Sequence, residues 1–360
     1  MKKIIYGIAL ALFLLILADR IMKFCEESQR PANARKGRPG TLLTGKEMAE
    51  YEDAQKFCLY PYTVFGLPAN YHSDTVNLNS IGLRGPEVGE KKAGAYRIAV
   101  LGGSAVFGAE TTNDNLTFCK LLESDLKSAT GRDVEVINAG LPAYVSMQEL
   151  VLFEDKIIGL KPDLVIVFDG FNDVFTSLKR DKRPNYPRWF AEIETVYYTS
   201  MPKLFVEMKL KRYRPTKRIF RWLERRKAKL SEDFTVNPEQ ISFYGRNLDL
   251  ICHLAKSYGI DAVLVFQPLL YYKTPLTENE RAIIGRLDKK YVLSVVEMCN
   301  MAREAMRKTA EANSVPYIDG TGIFDGLNDD IFLDECHFNQ AGHKMIADTL
   351  SAALKEGLKE

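Results

Sequence analysis

Four short segments, scattered between residues 102 and 337, each hold a residue type that acyl-transfer chemistry needs. Gly102-Gly103-Ser104 offers a hydroxyl on a tight turn. Asn138-Ala139-Gly140 offers a backbone N–H on a residue with no side chain to obstruct approach. Gly170-Phe171-Asn172-Asp173 offers a side-chain amide, and Asp334-Glu335-Cys336-His337 places a carboxylate three residues before an imidazole. A serine hydroxyl is a poor nucleophile until a base takes its proton. His337 is the one histidine of four (His72, His253, His337, His343) with an acid three residues before it in a loop that feeds a terminal helix. On one turn of backbone Asp334 can hold the Nδ1–H of that imidazole while Nε2 faces Ser104. Negative charge developing on a carbonyl oxygen calls for preorganised donors. The expected donors are the amides of Ser104 and Gly140 and the side chain of Asn172. Taken singly each segment has a plainer reading: a phosphate-binding glycine turn, a turn asparagine, a structural histidine. No GxGxxG pattern and no P-loop lysine accompanies Gly102–Gly108, which removes the usual support for a nucleotide site. His343 reads as a packing or capping residue at the start of the last helix.

The elements that must position these residues are legible as short apolar runs ending in glycine or a polar turn. They are Arg97–Leu101, Val134–Ile137, Leu164–Phe168, Ala262–Phe266 and Val315–Ile318, each leading into a helical stretch. Strands apolar on both faces and alternating with helices predict a parallel sheet covered on both sides. Such sheets bind ligands beyond the carboxyl ends of their strands, and the first three segments fall there.

With 360 residues, of which 46% are hydrophobic, the chain can bury a large core. A formal charge of +2 gives no overall reason to expect a nucleic-acid partner. The six cysteines (Cys25, Cys58, Cys119, Cys252, Cys299, Cys336) show neither a CxxC pair nor zinc spacing, so most are expected to be buried as small hydrophobes. Lys2-Lys3 precede an unbroken apolar run, Ile4 to Ala18, followed by Asp19-Arg20. Some 22 Å of helix is short of a hydrocarbon core of about 30 Å. Ile21, Met22 and Phe24 can extend it while Arg20 and Lys23 reach the headgroups. Bulky Ile16 spoils a small-x-small cleavage site at Ala18. The expectation is a signal-anchor over residues 1–24, the rest of the chain lying outside the cytoplasm; a cleaved signal and a secreted or periplasmic protein is the alternative. Residues 25–76 read as a stalk or linker, including the basic cluster Arg35-Lys36-Gly37-Arg38.

Between residues 176 and 242 the alternation of strand and helix stops. Lys179 to Lys229 contains 17 Lys/Arg against 5 acids, with Trp189, Tyr197-Tyr198, Tyr213 and Trp222 interleaved. This insertion follows Asn172 closely and reads either as a cap or membrane-facing surface, or as a solvated helical hairpin.

The four segments resemble the blocks of the SGNH hydrolase superfamily, whose relatives include GDSL lipases and esterases. The lead-in Asn79-Ser80-Ile81-Gly82-Leu83-Arg84-Gly85-Pro86 is similar to one seen in bacterial envelope members. The resemblance spans about residue 77 to the C-terminus. It implies a flavodoxin-like three-layer α/β/α sandwich on a five-stranded parallel sheet, no cofactor, and cleavage or transfer of acyl esters. It implies the roles of Ser104, Gly140, Asn172 and His337, with Asp334 as the third triad member. Two departures stand out: Gly103 where the family commonly has aspartate, and Ala143 where the second block usually has another glycine. The expected substrate is an acylated carbohydrate or lipid, with O-acetyl groups of an envelope glycan preferred from the compartment. The rival from another class is a non-catalytic, membrane-anchored scaffold that binds polysaccharide or an assembly complex.

Overall fold

The computed structural model describes residues 43–179, 181–198 and 234–358. The expected N-terminal anchor and most of the basic insertion lie outside the described residues. Among the described residues no helix is long and apolar enough to cross a membrane.

The chain enters through α1 (Gly45–Ala54), started by a capping box in which Thr44 and Glu47 satisfy each other's backbone N–H. An antiparallel hairpin follows, β1 (Cys58–Tyr60) and β2 (Val64–Gly66), then a second short pair, β3 (Tyr71–His72) and β4 (Asn77–Leu78). This region was expected to be a linker. From Leu43 onward it is instead packed into the core, with Ala54, Phe65, Leu67 and Val76 at 3% exposure or less. Strands this short carry little stability of their own, so the segment is ordered by what it covers. Arg84 bridges antiparallel to Asn138 and closes the sheet edge there.

The main sheet is made of β5 (Tyr96–Gly102), β6 (Val134–Gly140), β7 (Leu164–Asp169), β8 (Asp261–Phe266) and β9 (Tyr317–Asp319). All five strands are parallel, in the order β6-β5-β7-β8-β9. This is the doubly wound order whose direction of winding reverses beside the first strand. Alternate residues face opposite layers. Ile98, Val100, Ile166, Phe168, Val263 and Val265 pack toward α3 (Phe118–Thr130) and the final helix, Gln340–Leu354. Ala99, Leu101, Val165, Val167, Leu264 and Phe266 pack toward the opposite layer. That layer is built from α4 (Ser146–Leu152), α5 (Asn172–Lys179), α7 (Pro238–Ser257) and α9 (Lys289–Asn313). The remaining helices are α2 (Ser104–Phe107), α6 (Phe190–Tyr198) and α8 (Glu278–Gly285), and Gln340–Leu354 is α10.

This domain runs to Trp189 and resumes at Phe234, whereas α6 belongs to a separate compact unit. The excursion from the sheet domain is therefore narrower than the expected 176–242. Of the described cysteines, Cys119, Cys252, Cys299 and Cys336 are buried thiols and Cys58 is exposed.

Candidate active site

Ser104 occupies the first position of α2, directly past the end of β5. Backbone N–H groups at that position have no partner within the helix. Gly102, at φ +155°, makes the turn; a Cβ there would overlap the carbonyl of Phe168 and the side chain of Val106. The other end of α2 is clamped by Arg84 from the lead-in segment. Its Nη1 donates to the carbonyls of Phe107 (3.1 Å) and Gly108 (2.8 Å), its Nη2 to Thr75 O (3.0 Å), and its Nε to Asp114 (2.7 Å).

The imidazole of His337 reaches this serine from the far end of the chain: Ser104 Oγ and His337 Nε2 are 2.6 Å apart. On the other side of the ring, Nδ1 lies 2.7 Å from Asp334 Oδ2. Asp334 Oδ1 accepts the backbone N–H groups of Cys336 (3.1 Å) and His337 (2.9 Å). Burial alone would raise the Asp334 pKa. The charge of His337, the hydrogen bond to its ring and the two amides outweigh burial and hold the carboxyl well below the usual carboxylate range. An ionised Asp334 fixes the proton on Nδ1 and leaves Nε2 to accept one from Ser104. Asp334, Cys336 and His337 also have donor atoms within 4.8 Å of one another, as a metal site would. Both imidazole nitrogens are already committed, to Asp334 and Ser104, so the cluster suits proton transfer better than ligation. His343 accepts a hydrogen bond from Phe118 N (3.2 Å) and packs between Phe118 and Phe338. Burial, helped by the positive charges of Arg84 and His337, pushes its pKa down to about 3 and keeps it neutral.

Asn172 begins α5, and its Nδ2 donates to Tyr144 O at 2.8 Å. A primary amide has two hydrogens, so one remains for a ligand. The carboxamide lies against Gly103, where it fills the space that a Cβ would take. The next residue, Asp173, is buried and staples the same loop, accepting Ser146 N (2.8 Å), Ser146 Oγ (2.7 Å) and Gln240 Nε2 (3.0 Å). Burial raises its pKa to about 6 against those hydrogen bonds.

Gly140 does not fit the expected role. Its N–H donates to Asn138 Oδ1 at 3.0 Å, and a Cβ there would overlap Phe107 N and Val106. The glycine is required for α2 to lie against β6, and its donor is spent. Ala143 was not expected. Leu141-Pro142-Ala143-Tyr144 forms a turn closed by Tyr144 N to Leu141 O (3.2 Å), with Ala143 at φ +67°. Proline at the second position and positive φ at the third describe a type II turn. The Ala143 N–H has no protein acceptor among the described residues. The next carbonyl, Tyr144 O, is the one that holds Asn172 and stands 3.9 Å from the Cβ position of Gly103. The Leu-Pro-Ala-Tyr string carried the signal, because that turn turns its third N–H outward.

Residues 100–345 match the family model described as GDSL-like lipase/acylhydrolase. The chain belongs to that family. It is accordingly an ester hydrolase. Similar solved structures include an alpha/beta hydrolase from the metagenome of Lake Arreo, Spain, at 17% identity and TM-score 0.45, covering 74% of this chain and 96% of that one. A lipase/acylhydrolase from Enterococcus faecalis shares 16% identity at TM-score 0.43, covering 73% and 96%. The acetyl xylan esterase AlAXEase also shares 16% at TM-score 0.43, covering 72% and 99%. No curated protein matches the chain.

Proposed function

We propose that the chain is a serine esterase in which Ser104 attacks the ester carbonyl, His337 takes and returns the proton, and Asp334 orients the imidazole. The observation that carries this reading is the unbroken line from Ser104 Oγ through His337 to Asp334, at 2.6 and 2.7 Å. The Ser104 amide, the Ala143 amide and Asn172 Nδ2 hold the oxyanion, with Ala143 replacing Gly140 in the expected set. As the carbonyl carbon becomes tetrahedral its oxygen gains a full charge, and donors fixed in advance favour that state over the substrate. The alcohol leaves with the proton held by His337. Water, or a sugar hydroxyl, then attacks the acyl-enzyme while His337 serves again as base.

The preferred substrate is an O-acetylated envelope glycan, met by an enzyme anchored outside the cytoplasm through residues 1–24. Its support is the apolar run Ile4–Ala18 behind Lys2-Lys3 and the basic bias of the insertion. A non-catalytic scaffold would have no use for a serine bonded to an oriented imidazole. The test is to label the purified protein with a fluorophosphonate and map the adduct by mass. A modified Ser104, together with a Ser104→Ala variant that has lost turnover of a chromogenic acetyl ester, supports the reading. Full turnover by that variant refutes it.

A further inference from the structure

The segment that carries the acid–base pair also contains Glu335, whose side chain bonds to a different part of the fold. Its Oε1 accepts the hydroxyl of Tyr271, from the loop after β8, and that of Tyr291, from the first turn of α9, the latter at 2.6 Å. Its backbone carbonyl accepts Leu270 N at 3.0 Å. Tyr291 is fully buried, packs edge-on against Phe234 at 5.3 Å, and has Lys179 Nζ 3.6 Å from its ring centre. Lys179 is the last residue of α5, the helix that begins with Asn172. A chain of contacts therefore runs from the helix of the oxyanion amide through Lys179 and Tyr291 to Glu335, and so to the loop of His337.

The local bonds of that loop explain why it needs such an anchor. Asp334 is tied to the ring and the backbone of His337 and to the backbone of Cys336, so the pair keeps its internal geometry wherever the loop moves. Those bonds do nothing to fix the pair's distance from Ser104. Leu333 N with His337 O and Phe332 with Phe338 pair within the loop. Its placement on the fold falls to Glu280 Oε1, which accepts Ile331 N and Phe332 N at 3.1 Å, to Leu270 N on the Glu335 carbonyl, and, closest to the pair, to the side chain of Glu335. We propose that Glu335 is a positioning residue: through the Tyr271 and Tyr291 hydroxyls it sets the Asp334–His337 unit at hydrogen-bond distance from Ser104. This rests on the reading of His337 as the base.

The experiment compares Glu335→Ala, Glu335→Gln, the double variant Tyr271→Phe/Tyr291→Phe, and His337→Ala as full-length proteins on a chromogenic acetyl ester across pH. A misplacement near 1 Å can cost about a hundredfold, so kcat of Glu335→Ala should fall by about ten- to a hundredfold with KM within about twofold. The acid limb of the pH profile should stay in place, because the Asp334–His337 pair is intact. Glutamine keeps a carbonyl oxygen for both hydroxyls and should restore most of the rate. The double variant keeps both rings and should match the alanine, and it decides the matter if Glu335→Ala fails to fold. A kcat in Glu335→Ala within about twofold of wild type, with His337→Ala inactive, overturns the tether and spares the triad. A displaced acid limb in Glu335→Ala also overturns it, since that shows action by charge on the imidazole. An active His337→Ala instead sinks the triad on which the proposal rests.

Discussion

Gly103→Ala offers a direct test of how the oxyanion amide is seated. A Cβ at residue 103 would overlap Asn172 Nδ2 outright and stand only 3.4 Å from its Cγ. Atoms at rest keep about 3.5 Å or more between carbons, so the carboxamide must retreat by roughly 1 Å. That retreat stretches the 2.8 Å bond to Tyr144 O and takes the second hydrogen away from the reacting oxygen. The backbone adds to the obstacle: φ at Gly103 is −86°, but ψ of −146° lies between the β and α regions open to L residues, so an alanine is strained there as well as crowded. Loss of one oxyanion donor costs about 10²–10³ in kcat, or about 2.7–4 kcal/mol of transition-state stabilisation. Steady-state kinetics on a chromogenic acetyl ester should show that fall with KM little changed, and a thermal midpoint somewhat lowered by the backbone strain. The same methyl group added to Asn172→Ala should do almost nothing further, because the two substitutions remove one interaction. The reasoning is refuted if Gly103→Ala keeps more than about a third of wild-type kcat, or if its penalty is undiminished in the Asn172→Ala background.

Two further outcomes are expected. Ala143→Gly relieves a left-handed alanine, a gain of about 1–2 kcal/mol partly offset by the freedom glycine adds to the unfolded chain; differential scanning fluorimetry should show a midpoint raised by about 1–3 °C, with the N–H, and so the activity, retained. Glu149 is fully buried in α4 with neither carboxyl oxygen hydrogen-bonded among the described residues, and burial, with the charges of Asp169 and Asp173, raises its pKa well above the usual value of 4.5. A carboxyl with a raised folded pKa contributes stability below its unfolded pKa and loses it as pH rises through the folded one. Glu149→Gln should therefore match wild type near pH 4 and unfold at a higher temperature near pH 8; a variant destabilised equally at both pH values would show that the carboxyl makes a contact the amide cannot replace.

How far the sequence could be read follows from the kind of interaction that places each residue. The five strands were legible because burial on both faces leaves uninterrupted runs such as Leu164–Phe168, and their ends fall within three residues of the observed bounds. Ser104, Asn172, Asp334 and His337 were legible because each sits in a short string whose local backbone already implies its exposure. The segment from Leu43 to Val76 was misread as linker. Its strands span two or three residues, too few for any period to register, and its burial depends on distant partners such as Tyr144, whose hydroxyl donates to Phe65 O at 2.7 Å. Asp169, Asp173 and Glu149 are buried carboxyls, which composition would place at the surface.

The exchange of Gly140 for Ala143 shows the limit most clearly. Both residues lie past or at the end of β6, both are small, and glycine is the natural choice when close approach is required. What separates them is an accounting of N–H groups: one is consumed by Asn138 two residues earlier, and the other is turned outward by the proline before it. Asn138 is itself held in place, since its Nδ2 donates to Val106 O at 2.8 Å, inside the helix that starts with Ser104. The asparagine that silences Gly140 thus also docks the nucleophile's helix onto the sheet edge. One side chain holds the Gly140 amide through Oδ1 and α2 through Nδ2, and in the proposed site the donor comes from the turn beyond it.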